Sequence, residues 1–68
     1  MEITVNGEDR AFSGESMTVV ELLGQLEIEQ FEGLAVAVDE RVVPKSRWSE
    51  TEVGDGASVE VIRAAQGG

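Results

Sequence analysis

The chain has 68 residues, with 14 acidic against 5 basic side chains, a net charge of −9, and no cysteine, histidine or tyrosine. That length allows one small domain and leaves little chain to line a small-molecule pocket of the usual ~300–1,000 Å³. The missing residue types exclude disulfides, thiolate nucleophiles and thiolate metal sites, and they remove the commonest general base near neutral pH.

The acidity argues against phosphate backbones and anionic membrane surfaces, both of which need lysine and arginine, so neither nucleic acid nor membrane is an expected partner. It suits a partner with a basic face, or serves solubility alone. No apolar run is long enough to span a bilayer. Met1–Val5 lacks the positive-then-apolar pattern of a signal peptide, so a cytoplasmic location is expected.

Residues 1–5 alternate, with Met1, Ile3 and Val5 on one face, which predicts a half-buried strand. Asn6-Gly7 is a strong hairpin signal because both residues tolerate positive φ. A short return strand is predicted over Arg10–Phe12, with Phe12 as a core anchor; two-residue and four-residue loops both leave Phe12 on the face of Ile3. After a turn over residues 13–16, Thr18 and Glu21 have the spacing of a capping box, and Met17 and Leu22 that of a hydrophobic staple. Val19, Leu22, Leu23 and Leu26 make one helical stripe. Gly24 lies inside that helix, either for close approach to the sheet or to shorten it.

Glu27–Gly33 reads as a connection whose Ile28 and Phe31 close one end of the core. Leu34–Val38 alternates again, Asp39-Glu40 turns the chain, and Arg41–Val43 is a short strand ended by Pro44. Lys45–Val53 reads as an irregular link, with Trp48 a packing residue. Asp55-Gly56 is a tight turn. Ser58–Arg63 is the last strand, Val59 and Val61 inward, Glu60 and Ile62 outward. The order strand, strand, helix, strand, strand, strand predicts an α+β domain over residues 1–64: a five-stranded mixed sheet with one helix on one face. If the last strand lies parallel beside the first, this is the β-grasp (ubiquitin-like) arrangement.

Residues 65–68 are expected to form a flexible tail. On its own, Gly67-Gly68 is a loose end or a cloning remnant. At the end of a chain with no cysteine or histidine, however, the α-carboxylate of Gly68 is the most unusual reactive group on offer. It is ionised at neutral pH and a poor electrophile until activated. Gly67 and Gly68 carry no Cβ, which suits passage through a narrow channel.

Over its full length the chain resembles the ubiquitin-like sulfur carrier proteins, most closely those of thiamine biosynthesis. The resemblance rests on Val5-Asn6-Gly7, Thr18-Val19-Val20-Glu21-Leu22-Leu23, Ala35-Val36-Ala37-Val38, Val43-Pro44-Lys45-Ser46-Arg47-Trp48, Gly54-Asp55-Gly56, Val59-Glu60-Val61-Ile62 and terminal Gln66-Gly67-Gly68. Ala57 and Ala65 are smaller than the acidic or branched residues expected at those places.

The resemblance implies a carrier, not a catalyst, with no permanently bound cofactor. An ATP-dependent adenylyltransferase would activate the Gly68 carboxylate. Sulfur from a cysteine desulfurase-derived persulfide would convert it to a thiocarboxylate, and a thiazole synthase would consume that sulfur. Gly67 and Gln66 would give access to the tail. Ile62, Ala35, Ala37 and Glu60, with Glu2 nearby, would form the partner-binding face. Two other readings stay open. One is a sulfur carrier for molybdopterin or another sulfur-transfer pathway; the other is a small acidic protein-binding module.

Overall fold

The structure, a computed structural model, describes residues 1–64. Strands β1 (Glu2–Val5) and β2 (Glu8–Ala11) form the first hairpin, with Val5 opposite Glu8 and Ile3 opposite Arg10. Asn6 and Gly7 have φ of 52° and 83°, the two left-handed positions of a two-residue hairpin turn. Pairing therefore resumes at once after Gly7. The return strand runs Glu8–Ala11 rather than the expected Arg10–Phe12, and all four of its residues are exposed. Phe12 lies just beyond it, half-buried, its N–H donating to the Met1 carbonyl at 2.9 Å.

Strands β4 (Leu34–Val38) and β5 (Arg41–Val43) form the second hairpin, and β7 (Ser58–Arg63) lies between the two. The sheet order is β2-β1-β7-β4-β5. β7 runs parallel to β1 and antiparallel to β4, so the first and last strands are central neighbours. With the single α-helix set against its inner face, this is the β-grasp topology.

Strands β3 (Ser16–Thr18) and β6 (Glu52–Gly54) pair with each other in a small second sheet. Both lie in stretches expected to be a turn and an irregular link. Each offers only three residues, too short for an alternation signal, and the pairing is long-range.

Helix α1 (Val19–Gln25) begins as its sequence dictates. The Glu21 N–H donates to Thr18 Oγ1 at 3.1 Å, and the Thr18 N–H donates to Glu21 Oε1 at 2.8 Å, completing the capping box. Val19, Leu22 and Leu23 are fully buried, each burial stabilising the fold by about 1.5–3 kcal/mol. They join Ile3, Val5, Met17, Val36, Val53 and Val59 in one core.

The helix ends one residue before the last position of its stripe. Leu26 is the C-cap, and Glu27 takes a left-handed φ of 62°. The Ile28 N–H then donates to the Leu23 carbonyl and the Glu27 N–H to the Gly24 carbonyl, the paired bonds of a Schellman ending. A Cβ at Gly24 would meet nothing within 4 Å, so this glycine permits no close approach to the sheet.

Trp48 closes one end of the core at 2% exposure. Its Nε1–H donates to the Val43 carbonyl at 2.8 Å, and its ring meets Phe31 edge-on with centroids 5.3 Å apart. Ala57, smaller than expected, is buried, and its carbonyl accepts the Thr4 N–H at 3.0 Å.

Candidate functional site

The alternation of β4 and β7 sorts their side chains onto two faces. Val36 and Val59 point into the core, whereas Ala35, Glu60 and Ile62 are exposed on the face that the helix does not cover. The register places Ala35 opposite Ile62, and Ala37 opposite both Glu60 and, on β5, Val42. Together they line a shallow depression of about 320 Å³, with Glu40 at its rim.

Four residues assigned to a partner-binding face from the sequence, Ala35, Ala37, Glu60 and Ile62, are thus brought together. Glu2 is not with them. Its N–H donates to Asp55 Oδ1 and its carbonyl accepts the Gly56 N–H, which sets it beside the turn that precedes β7. Ile62 lies six residues further along the strand direction, roughly 20 Å away at ordinary strand rise.

Sequence reasoning missed Val42 and Glu40. Val42 is 76% exposed and Ile62 59%, which makes them the most exposed large apolar side chains among the described residues. The signal was present. Val43 must face inward to reach the core, so Val42, its neighbour, must face outward. Two small alanines between Ile62 and Val42 keep the floor flat, and two carboxylates edge it. Such a surface can bury apolar area against a partner while steering a basic rim towards itself.

Gln66, Gly67 and Gly68 lie outside the described residues. What the structure describes is the start of the segment that leads to them. The Arg63 guanidinium donates to the carbonyls of Glu32 at 3.0 Å and Gln30 at 2.8 Å, and the Ala64 N–H donates to the Gly33 carbonyl at 2.7 Å. Among the described residues, no three metal-ligating side chains cluster, and no helix is long and apolar enough to cross a membrane.

Against known protein families, residues 3–68 match the ThiS family. The chain belongs to the ThiS family. Members are small ubiquitin-like sulfur carriers of thiamine biosynthesis, not catalysts. A crystal structure of a thiamine biosynthesis protein (ThiS) from Geobacter metallireducens is similar over all of both chains, at 36% identity and a TM-score of 0.88. A solution structure of a thiamine biosynthesis protein from the same organism gives a TM-score of 0.81 at 36% identity, covering all of this chain and 88% of that one. A thiazole synthase of Paramagnetospirillum magneticum (strain ATCC 700264 / AMB-1) is 40% identical over 68 residues. The present chain spans about 20% of that relative's length. The ThiS match takes in Ile62 and Ala35 as well as Gly67 and Gly68.

Proposed function

We propose that this chain carries sulfur on the carboxyl carbon of Gly68, with Gly68 as its terminal residue, for the thiazole ring of thiamine. An adenylyltransferase docks on the Ile62 face. The Gly68 carboxylate attacks the α-phosphate of ATP, pyrophosphate leaves, and an acyl adenylate forms. A cysteine desulfurase-derived persulfide then attacks the acyl carbon and expels AMP. Cleavage of the resulting acyl disulfide by a thiol leaves the thiocarboxylate, which a thiazole synthase consumes.

The protein's contribution is positioning. Bringing the carboxylate to ATP in the right orientation removes much of the entropic part of the barrier. Residues 1–64 form the docking domain, and residues 65–68 are the tail that enters the partner's site.

The observation that carries this reading is the family match over residues 3–68, which reaches Gly68 itself. A thiazole synthase as the receiving partner draws support from the Paramagnetospirillum relative, whose name is thiazole synthase and which contains a stretch similar to this whole chain.

The test is intact-mass spectrometry after incubation with ATP, an activating enzyme of the thiamine pathway and a persulfide donor. The expected result is a gain equal to one sulfur-for-oxygen exchange, located on Gly68 by fragmentation. An unchanged mass beside a competent control carrier refutes it. Sulfur transfer to the large subunit of molybdopterin synthase, and not to thiazole synthase, would assign the carrier to the other pathway.

A further inference from the structure

Three backbone carbonyls from residues 30–33 converge on Arg63, the last residue of β7, and on Ala64 just after it. The Gln30 and Glu32 carbonyls accept from the Arg63 guanidinium, and the Gly33 carbonyl accepts from the Ala64 N–H. A surface arginine in so acidic a protein has carboxylates to choose from. Among the described residues, though, the recorded ion pair is Arg47 with Glu50, and Arg63 instead grips backbone. The planar fork suits this: two nitrogens diverge at a fixed angle and reach two carbonyls at once, which a lysine ammonium cannot match.

The other side of β7 is also held. Backbone pairing with β1 ends at Val5 opposite Val59. Beyond it the Asn6 side chain takes over. The Val61 N–H donates to Asn6 Oδ1 at 2.8 Å, and Asn6 Nδ2 donates to the Val61 carbonyl at 3.1 Å. The end of β7 is therefore fixed to a turn on one side and to a side-chain amide on the other, right up to Ala64.

We propose that Arg63 is the positioning residue of the carrier. It sets the point and direction from which residues 65–68 leave the sheet, and so where Gly68 arrives in an enzyme docked on the Ile62 face. This inference rests on the sulfur-carrier reading. Releasing Arg63 frees about two further residues. If residues 65–68 act as the tail proposed above, lengthening it to six residues dilutes its tip about twofold, and misplacing a reacting group by about 1 Å can cost ~100-fold. The effect on turnover should lie between those bounds.

The experiment uses the full chain as wild type, R63M, R63K, and R10M as a control that removes one cation from the same groove but makes none of the contacts to the carbonyls of residues 30–33. ATP-dependent pyrophosphate release gives kcat and KM for the carrier, and amide exchange at Ala64 reports the clamp directly. R63M should lower kcat roughly five- to tenfold, leave KM within about twofold because the docking face is intact, and speed Ala64 exchange. R63K should fall between, and R10M should match wild type. An unchanged kcat in R63M with accelerated Ala64 exchange overturns the proposal, as does a rise in KM alone. If R63M fails to fold, R63K carries the same comparison. Wild-type protein that no activating enzyme turns over would refute the carrier reading instead, while the exchange data would still report on the clamp.

Discussion

Ile62 and Ala35 face each other across β7 and β4 on the uncovered side of the sheet. Ile62 is more than half exposed, so changing it removes no core packing. I62D should therefore leave the free energy of urea unfolding within about 0.5 kcal/mol of wild type. It should also lower kcat/KM for adenylation by roughly tenfold or more, the cost of a charge in an interface centre. V42D should behave alike, since Val42 completes the same depression. Initial-rate pyrophosphate release beside a denaturation curve checks both, and unchanged kinetics in the two variants would remove this face from the docking role.

Trp48 tests the core in two steps. W48F keeps most of the apolar volume but leaves the buried Val43 carbonyl without its donor, an expected loss of about 1–3 kcal/mol. W48A also opens a cavity beside Phe31 and should cost about 3–5 kcal/mol. A chain of this length has a total stability of roughly 3–10 kcal/mol, so W48A should remove a large fraction of it. Far-UV circular dichroism during urea titration reads both, since the only tryptophan is the residue removed.

Glycine and glutamate stand three residues apart in positions that suit each other's side chains better. Gly24 occupies the helix interior with open space around its missing Cβ, and Glu27 holds a left-handed φ. G24A should stabilise by about 0.5–1 kcal/mol. E27G should do the same, because it relieves a non-glycine residue at the position where helices favour glycine. E27A keeps the Cβ and should gain nothing. Urea unfolding of the three variants gives the ordering directly.

The capping box offers a sharper local test. T18A should cost about 1 kcal/mol, while T18S keeps the acceptor oxygen and should cost less. E21Q can still accept from the Thr18 N–H and should be mild, whereas E21A should not. A result in which T18A matches wild type would mean that tertiary packing of Val19, Leu22 and Leu23 alone sets the helix start.

Much of this architecture was legible because period and punctuation agreed. Asn6-Gly7 set the first hairpin, Thr18 and Glu21 set the helix start, and the alternation of Ala35, Ala37, Glu60 and Ile62 placed them on one face before any topology was known. The misses have physical causes. β3 and β6 are three-residue strands made by each other's presence, so neither carries a local signal. Glu27 ends the helix in a conformation its side chain does not advertise. Glu2 shares the outer face by parity but not the right end, because the parallel register of β1 against β7 is set by long-range packing that no pattern within β1 encodes. Gln66, Gly67 and Gly68 lie outside the described residues; two glycines have no periodicity, so Gly68 stood out through the missing cysteine and histidine and Gln66 through the resemblance alone.

The place of β7 bears on synthesis. This strand is the middle of the sheet, with β1 on one side and β4 on the other, yet it comes last in chain order among the described elements. A nascent chain stopped before Ser58 leaves two hairpins with open inner edges and no partner to join them, the kind of exposed edge that quality control and aggregation both act on. The domain can close only once translation has passed Arg63, five residues short of Gly68. Folded copies are therefore copies read through Arg63, and chains cut short before β7 cannot close the sheet.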